Sequence, residues 1–419
     1  MISDRLPRRV AIHDFGGFAF PVQLGRELAR RGHHVKVLYS DLDRRGGRLS
    51  RLEGDPETFS VSEVSIGQPF RKDELLRRAS QELAYARVLG REVAHFAPNV
   101  LFNTNGTMIM SLWLRRCAAA HDCAYVHWMQ DIHTHTIGYI LRKRFGRLGA
   151  LGQRLIHFIE RDVVAGAAAA IVISDDFKAQ LAAYGMRPRA VFTIPNWMPC
   201  EEITPQPKDN EFSRSFGLAG TFNVVYAGML GHKHDIAPFV ALARACRDLD
   251  DLRVVIVGRG FGVERLRQAQ RTCGLANLLL IDWQPHERLP DVLATGDLLM
   301  AAITPQASPS SVPSKILSYL CAGRAVLAVV PEDNLGRRLV EGAGAGVGMD
   351  PGDHAQLVAL VRTFHAAPQG LTSFAEHARC YAEKTFAIGP IADHFEIVID
   401  NVAPRREIPP TGRRSRRID

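Results

Sequence analysis

The sequence predicts an α/β protein of two successive doubly wound halves, each built on a parallel sheet. Three observations carry this. The chain has 419 residues, too many for one ordinary core at about 150 residues per domain and enough for two cores of roughly 180–200 residues. Short apolar runs alternate with segments of helical periodicity from Val10 onward. The alternation stops at the polar, proline-containing stretch Cys200–Gly220, which reads as a linker, and then restarts.

The first half reads as follows. Val10-Ala11-Ile12 is a strand, broken by Asp14-Phe15-Gly16-Gly17. Phe20, Leu24 and Leu28 recur at helical spacing, Gly32 stops that helix, and Val35–Tyr39 is the next strand. Such a β-α-β start places the loop Asp14–Pro21 at the carboxyl edge of a parallel sheet, where ligands of open α/β sheets bind. Val100–Phe102, Ala124–Val126 and Ala169–Ile173 are further strands. Ser174-Asp175-Asp176 is a cap signal before a helix over Phe177–Tyr184. Val191–Ile194 closes the half at Pro195-Asn196-Trp197-Met198-Pro199.

In the second half Asn223–Ala227 precedes Gly228, with a helix after Ile236. Leu252–Val257 precedes Gly258-Arg259-Gly260, and Leu278–Ile281 precedes Asp282-Trp283-Gln284-Pro285. Leu298–Ile303 precedes a Ser/Pro loop, and Ala325–Val330 precedes Pro331. A periodic run from Ile388 to Val402 reads as a closing helix.

Composition excludes several classes. With 46% hydrophobic and 23% charged residues the chain is neither disordered nor fibrous. No apolar run approaches the ~20 residues of a membrane span, and the start Met1–Arg9 lacks the apolar core of a secretory signal. Seven cysteines at scattered spacing, with no CxxC pair, indicate neither a zinc cage nor a disulfide framework, and read as idle thiols of a reducing cytosol. The net charge is +8, and half of that excess sits in Pro404–Asp419, where six Arg face one Glu and one Asp. That tail reads as disordered. Aromatic interleaving of basic residues, as single-strand nucleic-acid binders use it, is absent.

Several segments carry chemistry. Ser308-Pro309-Ser310-Ser311-Val312-Pro313-Ser314-Lys315 leads into a helix striped by Ile316, Leu317, Leu320 and Cys321. Unpaired N–H groups and partial positive charge at a helix start, with hydroxyls and a lysine, outline an anion site. An ordinary capping loop uses the same residues. Gly228-Met229-Leu230-Gly231-His232-Lys233 is a second strand-to-helix turn. Its glycines admit a ligand close to the backbone, and Lys233 can place a charge on a phosphate. A tight turn with a solvated lysine reads equally well. Gly258-Arg259-Gly260 misses the dinucleotide fingerprint, because Val263 stands where its third glycine belongs. His127-Trp128-Met129-Gln130-Asp131-Ile132-His133-Thr134-His135 follows a strand. Its spacing fits no helical metal motif, and it reads as an edge loop with Asp131 or a histidine in chemistry. Arg142-Lys143-Arg144-Phe145-Gly146-Arg147-Leu148 with Arg154 is a basic stretch that suits anionic lipid or a solvated helix face.

Taken together, Gly16-Gly17, Arg30–Val35, Ile194–Trp197, Ala227–Lys233, Val257–Gly260 and the Ser/Pro loop with Leu320–Arg324 resemble the family-four retaining glycosyltransferases over residues 8–400. The resemblance is strongest to polysaccharide-assembly members with a Pro-Ser-Lys signature. It implies a GT-B fold, two Rossmann-like doubly wound domains facing across a cleft. Residues 1–200 form the acceptor domain, with the helix 388–402 packing back on it. Residues 201–387 form the nucleotide-sugar domain, and 403–419 a disordered basic tail. It implies transfer of a sugar or amino sugar, with retention, from a nucleotide donor, UDP on family grounds, to a polyprenyl-diphosphate-linked saccharide in surface polysaccharide assembly.

On the same resemblance Lys233 grips the donor diphosphate. Lys315, from the helix start, and Asp131 and His127, from the edge loop, are the further catalytic candidates that the residues themselves offer. Gly16, Gly17, Gly228, Gly231, Gly258, Gly260, Trp283, Ser310, Ser311, Ser314 and Ser318 bind the donor. No cofactor and no metal are expected. The partners are the nucleotide sugar, the lipid-linked acceptor and an anionic membrane surface met through Arg142–Arg154, with no nucleic acid. The location is the cytoplasmic face of the cell membrane. Ser310 and Ser318 replace two glutamates usual in the family, Pro313 replaces a glycine, and Met229 an arginine. The rival readings are a 2-epimerase-like isomerase and a non-catalytic sugar-nucleotide-binding protein.

Overall fold

The computed structural model describes residues 6–41, 49–68, 75–231, 234–304 and 314–403. The chain divides into two units, the first running to Asn196 and resuming at Ile388, the second Trp197–Ala387.

Unit 1 runs β1 (Arg9–Asp14), α1 (Ala19–Arg30), β2 (His34–Ser40), β3 (Phe59–Val64), α2 (Leu75–Phe96), β4 (Val100–Thr104), α3 (Met108–Ala120), β5 (Ala124–Met129), α4 (His133–Ala165), β6 (Ala169–Val172), α5 (Lys178–Ala183) and β7 (Val191–Thr193). All its strand pairs are parallel, in the order β3-β2-β1-β4-β5-β6-β7. β4 and β6 are buried at every position. This is the mark of a sheet covered on both faces, and it explains why these strands read as unbroken apolar runs. β3 is an edge strand with a half-polar, half-buried pattern, which is why no apolar run announces it. The uncharged run Val163–Ile173 is cut in two, because Gly166 ends α4 and the chain turns into β6.

Unit 2 runs α6 (Glu211–Ser215), β8 (Phe222–Met229), α7 (Ala237–Ala245), β9 (Leu252–Arg259), α8 (Phe261–Cys273), β10 (Leu278–Ile281), α9 (Leu289–Ala294), β11 (Leu298–Ala302), α10 (Ser314–Cys321), β12 (Ala325–Val329), α11 (Leu335–Gly342), β13 (Gly346–Met349), α12 (His354–Ala366) and α13 (Thr372–Thr385). Its sheet is also parallel, in the order β10-β9-β8-β11-β12-β13. The last helix, α14 (Ile388–Val402), returns to unit 1 and packs on α1. Phe395 meets the rings of Phe102 and Trp128 at 5.4 and 4.8 Å. Glu396 takes hydrogen bonds from Arg31 (2.8 Å) and reaches the His33 ring (3.3 Å).

The expected linker Cys200–Gly220 is an ordered part of unit 2. Asn210 and Ser213 close a capping box at the start of α6. Lys208 donates to both carboxylate oxygens of Asp297 at 2.6 and 2.8 Å and to the Thr221 carbonyl. Local polarity marked a loop, but those side chains have partners on neighbouring elements. The change of unit falls earlier, at Asn196–Trp197. The basic tail from residue 404 lies outside the described residues.

Candidate functional site

In unit 2 the strand order reverses between β8 and β11. Connections leaving those two strands diverge, which opens a crevice at their carboxyl ends. Two pieces of sequence meet there. Gly228 is the penultimate residue of β8, and its φ of +135° is one that only glycine adopts readily. From the other side comes Lys315, in the first turn of α10. A Cβ on Gly228 would stand 2.6 Å from Lys315 Cε, so the glycine also makes room for the lysine. The ammonium sits 5.0 Å from the centroid of the Tyr226 ring and 3.3 Å from Nε2 of His234. His234 Nδ1 lies 3.0 Å from the Gly231 N and 3.3 Å from the Gly231 carbonyl oxygen, which orients the ring with Nε2 toward the lysine. A lysine and an imidazole thus stand side by side at a topological switch point. The Tyr319 hydroxyl accepts the Ala227 N–H at 3.2 Å and fixes α10 against the end of β8.

The other glycines of this edge also serve its packing. A Cβ on Gly258 would lie 2.0 Å from the Gly228 carbonyl oxygen, and one on Gly260 2.7 Å from that of Leu230. Gly258 and Gly260, expected to bind donor, are the positions where the ends of β8 and β9 touch backbone to backbone. Gly231 gives its N–H to His234. Beyond β10, Trp283 is exposed, and the Arg259 guanidinium lies 4.6 Å from its ring centroid, a flat cationic platform. Ser314 begins α10 and Ser318 is buried one turn later. Lys233, Ser310 and Ser311 lie outside the described residues, as does Pro313.

In unit 1 the order reverses between β1 and β4. Asp14 ends β1, and its buried carboxylate accepts the N–H groups of Gly16 (3.0 Å) and Phe18 (2.6 Å) and the Asn105 amide (2.8 Å). Gly17 turns the chain at φ +60°. Gly16, expected to bind the donor, gives its N–H to this turn. Behind it a buried polar chain crosses three strands. His13 Nδ1 meets Asn103 Oδ1 at 2.7 Å, the Asn103 amide donates to the Tyr125 hydroxyl at 2.9 Å, and that hydroxyl meets His127 Nδ1 at 3.1 Å. Burial pulls both histidines down to about 4, with nearby His133 adding to the effect at His127. Both are therefore neutral at pH 7.

His127 was expected in an edge loop. It is inside β5, and its side chain is 4% exposed. The loop proper is only residues 130–132, because α4 starts at His133. Asp131 stands in that loop, half-buried, and accepts the N–H of Ile132 at 2.9 Å. Glu160, 27 residues along the same helix, returns to cap its start. It accepts the N–H of His133 (2.8 Å) and of Thr134 (3.0 Å), the Thr134 hydroxyl (2.5 Å) and the Tyr184 hydroxyl (2.8 Å). Burial raises this carboxylate, but the bonds from His133 and Thr134 outweigh it and hold the group at about 2.

Sequence reasoning missed His234, Tyr226, Arg259 and Glu160. Only His234 left a local signal, as a second imidazole in the Gly231–Asp235 turn. The expected idle thiols include one close pair, Cys200 and Cys321, with sulfurs 3.3 Å apart. Among the described residues no three His, Cys, Asp or Glu side chains converge in a way that could hold a metal ion.

No curated protein matches the chain in sequence. Solved structures do match in fold. Anabaena Alr3699/HepE in complex with UDP-glucose superposes with a TM-score of 0.67 at 15% identity, over 94% of this chain and 99% of that one. Sucrose-phosphate synthase from Thermosynechococcus elongatus gives 0.68 at 14%, over 94% and 98%. WaaG, a glycosyltransferase involved in lipopolysaccharide biosynthesis, gives 0.64 at 16%, over 92% and 98%. Residues 19–197 match the glycosyl transferase 4-like domain family, and the two parallel-sheet units together have the GT-B glycosyltransferase fold.

Proposed function

We propose that the protein transfers a sugar or amino sugar, with retention, from a nucleotide donor, UDP in the first instance, to a polyprenyl-diphosphate-linked saccharide at the cytoplasmic face of the membrane. The observation that carries the reading is the convergence of Lys315, His234 and the Gly228 backbone at the switch point of unit 2. A glycosyl transfer of this kind turns on departure of the diphosphate, so fixed positive charge beside the leaving oxygens lowers the barrier most. Lys315 is held for that role by Tyr226 and by the room Gly228 leaves. Lys233 joins it by motif. The Arg259–Trp283 platform takes the nucleobase, since a flat aromatic face under a guanidinium accepts any base by stacking. The UDP-glucose complex of the Anabaena structure and the lipopolysaccharide role of WaaG agree with this reading.

The cations are side chains, so turnover is expected to survive chelation. The test is nucleotide release from UDP-, GDP- and dTDP-sugars, with and without lipid extract, for the wild type, Lys233→Ala and Lys315→Ala. Release that requires lipid and falls about a hundredfold or more in each variant is the expected result. Donor isomerised without acceptor would replace the reading with an epimerase. UDP that raises the melting temperature with no release from any donor would replace it with a binding protein.

A further inference from the structure

We propose that Cys200 and Cys321 form a redox-modification site, a dithiol that a hydroperoxide converts to an intrachain disulfide and a dithiol reductant restores. Its chemistry does not depend on the transferase reading. The two residues are 121 apart in sequence, yet their sulfurs stand 3.3 Å apart. Both are free thiols of unit 2. A disulfide needs its sulfurs at about 2.05 Å, so closure asks for an approach of about 1.3 Å. The backbones on either side are already braced. Arg379 of α13 donates to the carbonyl of Cys321 (2.7 Å) and to that of Ile203 (3.1 Å), three residues beyond Cys200. On the other side, Cys321 Sγ lies 3.8 Å from the carbonyl oxygen of Met198. A Cβ on Gly323 would stand 3.4 Å from Pro205 Cγ, so the two segments also touch beyond the pair. Cys321 closes α10 at the end opposite Lys315. A bond there fixes the far end of the helix that presents this lysine.

The two thiols are unequal, as an attacking and a resolving cysteine must be. Cys200 is half-buried, whereas Cys321 is fully buried. The hydrogen bond with Cys321 draws the Cys200 thiol below its ordinary value. Burial works against this, and the Arg379 guanidinium helps it against Glu201 and Glu383. Cys321 is pushed up by the same hydrogen bond and by burial. The thiolate is the nucleophile, so reaction starts at Cys200. Its sulfur attacks one oxygen of the hydroperoxide, the O–O bond breaks, and an alcohol or water leaves with a proton from solvent. Cys200 is then a sulfenic acid. The Cys321 sulfur attacks that sulfur, the S–S bond forms, and the hydroxyl leaves as water with the Cys321 proton. The thiols have lost two electrons, and the peroxide has taken them. A dithiol reverses the step by thiol–disulfide exchange. Other thiols are built differently. Cys117 and Cys123 direct their S–H groups at the carbonyls of Gly90 (3.6 Å) and Ala124 (3.8 Å). Burial pushes both up, Cys123 to about 12. Those two match the idle thiols expected from the sequence.

The test is titration of the folded, reduced full chain with hydrogen peroxide, followed by alkylation of the remaining thiols and peptide mass mapping. No donor or acceptor is present, so failure of the transferase reading leaves the result untouched. The expected product is one intrachain link between the peptides holding Cys200 and Cys321, undone by dithiothreitol. It should form at least about tenfold faster than Cys117 is lost. The link closes a long loop within unit 2, so oxidation should raise the calorimetric transition of that unit by about 5–10 °C. Cys200→Ser should abolish both the link and the rise. Cys321→Ala should halt the reaction at a sulfenic acid on Cys200, which dimedone captures. Both thiols intact after Cys117 has reacted, or either one linked to another cysteine, overturns the proposal. So does a Cys200 in the wild type that is oxidised beyond the sulfenic acid while Cys321 stays free, or a link that leaves the transition unmoved or lowers it. Each overturning outcome is read on the wild type, so a variant that fails to fold does not obscure it.

Discussion

Replacing Glu160 by glutamine should loosen the start of α4 by an amount the structure allows to be worked out in two ways. The carboxylate meets four donors: two backbone N–H groups, from His133 and Thr134, and two hydroxyls, from Thr134 and Tyr184. An amide keeps one acceptor oxygen. Its best placement keeps the three bonds at Oε2 and turns an NH2 group against the His133 N–H. One charge-assisted bond is lost and one donor is left facing another, for roughly 2–4 kcal/mol in all. The second route is linkage. The group moves from its ordinary 4.5 to about 2, and at about 1.4 kcal/mol per tenfold change that is roughly 3 kcal/mol. The two routes agree.

The sign follows from the depressed value. The stabilisation is fully present above pH 4.5 and is lost as the pH falls toward 2. The gap between wild type and Glu160→Gln should therefore be flat from pH 7 to about 5 and shrink below that. Two units need not unfold together, so a single melting temperature is a poor readout. Hydrogen exchange of peptides covering residues 131–137, beside a urea titration, reads the site directly. A gap below about 0.5 kcal/mol at pH 7, or one that widens on acidification, would refute the argument.

Three further outcomes are expected. Gly258→Ala should destabilise unit 2 by roughly 3 kcal/mol or more or leave it insoluble, because its methyl would meet the Gly228 carbonyl at 2.0 Å. Gly231→Ala, where the nearest atom stands at 3.9 Å, should be tolerated, and urea titration of both variants checks the contrast. His13 and His127 are held neutral with values near 4, so unit 1 should lose stability as the pH falls from about 6.5 toward 4. Variants with either histidine replaced by glutamine should show a shallower loss in the same titration. Trp283→Ala should weaken UDP binding by about tenfold in calorimetry, with the fold intact, if that ring carries the base.

The layout of the strands was legible in the sequence wherever a strand lies inside the sheet. Val10–Ile12, Leu298–Ile303 and Ala325–Val330 are apolar throughout because helices cover both their faces. Phe59–Val64, at the edge, alternates with serines and announces nothing. Gly346–Met349 is a strand despite two glycines, since Gly346 must pass against the Val326 carbonyl. Of the site, Lys315 and Gly228 were visible as motif residues. Their meeting was not, because it depends on the reversal of strand order between β8 and β11. Glu160 was invisible for the same reason: it acts 27 residues away, across a helix that no local pattern shows to fold back on its own start. The exposed apolar stripe of α4, Leu148, Leu151, Leu155 and Phe158, was masked by the arginines interleaved with it. Only the buried side of the helix shows which leucines are left outside.

The return of α14 to unit 1 bears on how the chain is made. Everything needed for unit 2 has been synthesised once Ala387 is in place, whereas unit 1 waits for Phe395 and Glu396. From Asn196, where the first stretch of unit 1 ends, to Glu396 is 200 residues, which at about 5–20 residues per second is a delay of roughly 10–40 s. During it Phe102 and Trp128 lack the aromatic partner that later covers them, so the nascent chain carries an unfinished, sticky first unit while the second one matures. A stop at residue 387 would extend that interval indefinitely. It would deprive the N-terminal unit of its cover while removing none of the residues before Asn196, and addition of a peptide spanning 388–402 should restore it.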